Sequence, residues 1–223
     1  RQDFDLFPVI QGMKASSTAR KILAKFPQDV RDYFNEIDEL CNYHGVTFYL
    51  GAGKSVNASG RCSGYFDYHK KVLAISLKHS LASIISVAVH EVSHMKNQWA
   101  NPKSKWHTQK LYKGHNRFFS FLGGAKIYKK NAAISQAVLL ELEAERMAVR
   151  EIKRRWTKYI DLNEYQRQSS AYLYSYLYMG ETGRWPVSSP CVRKISKHAP
   201  DSLQKSYKKI PIKLRSAFDK YLR

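Results

Sequence analysis

The stretch from Ser80 to Trp99, SLASIISVAVHEVSHMKNQW, constrains the fold more than any other part of the chain. Ile84, Val87, Ala88, Val92 and Met95 recur at intervals of three and four, the period of a helix of about four turns with one buried face. Glu91 falls on that same face, and His90 and His94 share one side of the helix. Such a helix needs a second layer to cover it. That layer must also satisfy a carboxylate and two imidazoles, because unpaired polar groups are costly to bury.

The flanking sequence offers that layer. VTFYLGAG (46–53) has a strand pattern closed by glycines, and GYFDYHKKVLAISL (64–77) predicts a β-hairpin. Its first strand carries Tyr65 and Phe66, His69 and Lys70 lie near the turn, and Leu73, Ile75 and Leu77 alternate along its second strand. That second strand, KVLAISL, is expected at a sheet edge, where an extended peptide can pair with it. Residues 17–43 read as helical with a stop at Gly45, and 101–114 read as polar and irregular. A short helix broken at Gly123-Gly124 follows, then a long one over 132–156 and another over 162–179. The tail holds four of the seven prolines and ends in a short helix near Ser216.

The class is therefore α+β, a small antiparallel sheet packed on the Ser80–Trp99 helix with a mostly helical C-terminal half. At 223 residues the chain suits a single domain: an N-terminal helical part (1–45), a central core (46–156) and a helical extension with tail (157–223).

A formal charge of +20 predicts attraction to polyanions such as nucleic acid, although no zinc-finger spacing or other nucleic-acid motif accompanies it. No run of eighteen apolar residues suggests a membrane span, and the first residues lack an apolar signal-like stretch. The expected location is the cytoplasm of a host cell or a virion. Cys41, Cys62 and Cys191 are too few and too scattered for a disulfide framework or a cysteine metal site.

His90-Glu91-Val92-Ser93-His94 is an H-E-x-x-H pattern, which aims two imidazoles at one ion and sets a carboxylate beside a water held there. A catalytic zinc takes three protein ligands, and two residues compete for the third place. Glu141 lies on a stripe with Ile134, Ala137, Ala144, Ala148 and Ile152, an apolar face on which a carboxylate needs a partner or a metal. Glu145, one turn on, can hold a ligand histidine through its second ring nitrogen. A solvated E-x-x-x-E with Arg146 and Arg150 as partners is the plainer alternative. His115 in GHNRFF is the other candidate, completing a three-histidine site.

At these residues, HEVSH followed by ELEAE resembles the gluzincin branch of zinc peptidases. The resemblance implies His90, His94 and Glu141 as zinc ligands, Glu91 as general base and Glu145 as a supporting residue. From AYLYSYLY through GRWP the chain is also similar to phage-encoded metallopeptidases, which implies a phage or viral origin. GRC, HEVSH and GHNRFF follow the order of SprT/Spartan-like proteases, which act on proteins crosslinked to DNA. Against that family stand the long interval from His94 to His115 and Asn116 where a glycine is usual.

These resemblances imply hydrolysis of a protein or peptide substrate. A developing oxyanion needs a donor beyond the metal, for which Tyr172, Tyr176 and His107 are candidates, with core packing as the plainer reading of the tyrosines. A basic nucleic-acid-associated protein and a virion component with a non-catalytic zincin fold are the other two classes.

Overall fold

The computed structural model describes residues 13–57, 61–99 and 102–222. Residues 1–12 of the N-terminal stretch read for a signal lie outside them. Two compact units divide the chain at Met95 and Lys96.

In the first unit, β1 (Lys14–Ala15) leads into α1 (Ser17–Leu23), whose N-cap Ser16 accepts from the Ala19 amide. Helix α2 (Gln28–His44) buries Val30, Phe34, Ile37 and Cys41, one helical face. It stops at Gly45, whose φ of 64° is the left-handed conformation that glycine adopts without strain. The turn places β2 (Thr47–Gly51) directly beneath α2, with the Phe34 and Phe48 rings stacked at 6.1 Å.

A small hairpin, β3 (Val56–Asn57) with β4 (Arg61–Cys62), precedes β5 (Gly64–Asp67) and β6 (Val72–Ser76). β5 and β6 pair antiparallel as the hairpin pattern predicts, with Lys71 at φ 51° in the turn. The four-stranded sheet has the order β1-β2-β6-β5 and is mixed, because β2 pairs parallel with both β1 and β6.

This order corrects the expected edge position of KVLAISL. β6 lies between β2 and β5, so both sides of its backbone are already paired. Leu73, Ala74, Ile75 and Ser76 are all buried, which explains why small residues stand at the positions where an edge strand would carry polar ones.

Helix α3 (Leu81–Trp99) follows and buries Ile84, Ile85, Ala88, Val89, Val92 and Met95. Val87 comes against Gly64 of β5 so closely that a Cβ there would lie 2.4 Å from Val87 Cγ1. That glycine lets the helix seat on the sheet.

The second unit is built on α4 (Pro102–Leu122), α5 (Lys130–Arg155) and α6 (Leu162–Thr182), with short α7 (Arg193–Ser196) and α8 (Ile212–Tyr221). Helix α4 corrects the expected irregular stretch over 101–114. Pro102 is its first residue, a place where the missing N–H costs nothing, so the proline starts the helix. Two glycines allow close helix contacts: a Cβ at Gly114 would meet Gln136, and one at Gly180 would lie 2.4 Å from Ile134 Cδ1. The core beneath joins Phe118, Val138, Tyr176, Ile195, Leu214 and Phe218. No helix among the described residues is long and apolar enough to cross a membrane.

Candidate metal centre

In the first unit, α3 turns His90, Glu91 and His94 to one place. One ligand atom from each, a ring nitrogen or a carboxylate oxygen, lies within 4.8 Å of the others. The Nε2 atoms of His90 and His94 approach to 3.1 Å, with the rings at 86°. A tetrahedral ion bound at about 2.0–2.1 Å holds two nitrogens about 3.3 Å apart, so the imidazoles sit almost at ligating separation. His94 is buried and His90 and Glu91 are half-buried, which leaves the carboxylate a path to solvent. Ser93 fills the buried turn between them and returns its hydroxyl to the Val89 carbonyl at 2.7 Å. The helix is thus undisturbed while its side chains converge. This is a zincin-like H-E-x-x-H cluster, and its donor set suits a metal ion.

In the second unit, the two rival third ligands are neighbours. His115 on α4 and Glu141 on α5 approach to 3.8 Å between Nε2 and a carboxylate oxygen. The Phe119 ring lies 4.3 Å from the imidazole, centre to centre. Glu141 is 5% exposed, and Ile134, Ala137, Ala144, Ala148 and Ile152 are buried beside it, as the apolar stripe predicts. The solvated reading of E-x-x-x-E is overturned, since Glu145 is equally buried and Arg146 turns instead to the carbonyls of Gln204 and Lys205.

Helix α6 supplies the donors that make these carboxylates tolerable. Tyr176 donates to Glu141 and is joined at 3.0 Å by the Tyr172 hydroxyl. Burial first, then the Glu141 charge, holds the Tyr176 hydroxyl protonated well above the ordinary tyrosine value. Tyr165 and Ser169 donate to Glu145 Oε2 at 2.7 and 2.8 Å. The last two residues were not singled out from sequence. Their signal was a tyrosine and a serine four apart on an otherwise apolar helix face.

Of the oxyanion candidates, His107 bonds Glu143 at 2.8 Å, and Tyr176 is buried with its hydroxyl already engaged. The His107 pair is largely exposed, and the Tyr172 hydroxyl is itself bonded to Tyr176. Tyr172 is half-buried.

No family model, curated protein or solved structure matches the chain. The zincin-like assignment stands on its residues: a His-Glu-His cluster consistent with a catalytic zinc site and with peptidase chemistry.

Proposed function

We propose that the protein is a zinc-dependent metallopeptidase, with His90 and His94 as ligands, Glu141 as the third ligand and Glu91 as general base. The observation that carries the reading is the 3.1 Å convergence of the two imidazole nitrogens with a carboxylate beside them. A purely structural site needs no base, and the carboxylate of Glu91 beside the two imidazoles supports reading it as one. Support for Glu141 comes from its own unit, where it is a buried carboxylate on a face of alanines, held by a neutral tyrosine. Carboxylates in such places are paired or bind metal.

Zinc, when bound, polarises a carbonyl and lowers the pKa of a coordinated water toward about 7. The protein's part begins with Glu91, which accepts a proton from the attacking water and returns it to the leaving amine nitrogen. His90 and His94 would hold the metal through the ring nitrogens that converge on one side of α3. Tyr176 keeps its proton and bonds the Glu141 carboxylate, fixing its orientation. We propose Glu145 as a further orienting group, itself held by Tyr165 and Ser169.

Glu91→Gln is the test. It preserves shape and metal binding and removes the base, so zinc content stays at the wild-type level while cleavage of a denatured protein substrate falls by about a hundredfold or more. Unchanged cleavage by Glu91→Gln would remove the general-base assignment.

A further inference from the structure

The net charge is not evenly divided. Residues 1–95 carry 11 Lys and Arg against nine Asp and Glu, whereas residues 96–223 carry 27 against nine. Nearly all of the excess belongs to the helical second unit. Its nine carboxylates are also largely occupied: Glu141 and Glu145 are buried, Glu151 pairs with Arg154 and Arg155, Asp201 with Arg167, and Glu181 with Arg215.

Within that unit the cations form a track. Arg146, Arg150 and Lys153 fall within about 60° of one another on α5 at 3.6 residues per turn. Arg150 and Lys153 are exposed. Arg146 bonds the carbonyls of Gln204 and Lys205 at 3.4 and 3.0 Å, which ties the segment 204–209 to this face. That segment adds exposed Lys205, Lys208 and Lys209 and is itself pinned inward by buried Tyr207 and Ile210. A line of lysine and arginine therefore runs from the tied segment along the last turns of α5. The two partly exposed carboxylates on this half of α5, Glu143 and Glu151, are engaged by His107 and by Arg154 and Arg155.

We infer that this track is a nucleic-acid-binding surface that grips the phosphate backbone without reading sequence. The α5 part alone is about 12 Å long at 1.5 Å per residue, enough to lie along about three phosphates of one strand. Charge complementarity selects a polyanion. The chemistry beside the track selects nucleic acid over a membrane. Within 140–160 and 203–210 no large apolar residue is exposed, and Ile212 just past the segment stands alone, too little apolar surface for a wedge into a bilayer.

The test is fluorescence anisotropy with labelled single-stranded and duplex DNA of random sequence, from about 50 to 200 mM salt. Arg150→Glu/Lys153→Glu reverses two track charges. Lys21→Glu/Lys25→Glu makes the same change of net charge at exposed positions in the first unit. The track variant is expected to lose at least tenfold in affinity and to flatten the log–log salt slope by about two. The control variant is expected to stay within about threefold by the same counterion argument. Arg150→Gln/Lys153→Gln, with unchanged far-UV dichroism, covers the case in which charge reversal unfolds α5, and is expected to show a smaller loss in the same direction. Equal losses in track and control variants would overturn the inference, as would no binding at low salt. So would tighter binding to phosphatidylserine vesicles than to DNA.

Discussion

Tyr165→Phe removes a single oxygen atom and tests how the buried carboxylate on α5 is tolerated. The Tyr165 hydroxyl donates to Glu145 Oε2 at 2.7 Å, and Ser169 donates to the same oxygen at 2.8 Å. Glu145 is 5% exposed and Tyr165 8%, so water cannot replace the lost donor cheaply. A hydrogen bond to a charged group contributes about 1.5–3 kcal/mol, and the phenylalanine ring fills the same space, so a loss of about 2 kcal/mol is expected. Glu145→Leu should cost more, because it leaves two buried hydroxyls without their acceptor. Combining it with Tyr165→Phe should cost less than the two single changes added, since both ends of one bond are then gone.

The pH dependence has a definite sign. Burial, and then the Glu145 charge, keep the Tyr165 hydroxyl protonated well above the ordinary value of 10.0. Above about pH 10 the unfolded chain loses this proton and the folded chain keeps it, so the wild type loses stability as pH rises. Tyr165→Phe has no such proton, and the gap between the two proteins should narrow above that pH. Urea unfolding at neutral and alkaline pH, with the slope m unchanged, measures both effects. A neutral-pH difference under about 0.5 kcal/mol would refute the argument that this bond supports a buried charge.

Other expectations follow from the packing. Gly64→Ala puts a methyl 2.4 Å from Val87 Cγ1 and 3.0 Å from the Ala74 carbonyl, so it should destabilise by about 1–3 kcal/mol. Adding Val87→Ala should recover part of that loss in thermal denaturation. Burial, and then the Asp38 charge, push the Cys41 thiol up to about 12, while Cys62 and Cys191 are half-exposed. Ellman's reagent at neutral pH should therefore react quickly with two thiols, and with the third only after denaturation.

Local chemistry made much of this fold legible. Gly45 ended α2 as its position suggested, and the hairpin of β5 and β6 followed from alternation and a polar turn. The apolar stripe on α5 predicted buried Glu141 because periodicity alone shows which residues share a face. The parallel pairing of β1, β2 and β6 was not visible, since it joins segments distant in sequence with no turn between them to mark it. Helix α4 was hidden by its polar first half, where Pro102 read as a break and not as a first turn. The metal-ligating cluster and the buried carboxylates divided in the same way. His90, Glu91 and His94 are local on one helix and were plain, whereas Tyr165 and Ser169 reach Glu145 from another helix.

The central proposal is that the cluster of His90, Glu91 and His94 belongs to a catalytic zinc site, and elemental analysis of the purified protein tests it most directly. Wild type should carry about one zinc per chain. His94→Ala should carry almost none, Glu141→Ala should bind at least about tenfold more weakly, and His115→Ala should keep its metal. Absence of zinc after reconstitution, or full retention by His94→Ala, would contradict the account. Loss in His115→Ala with retention in Glu141→Ala would contradict the ligand assignment and leave a three-histidine site in its place.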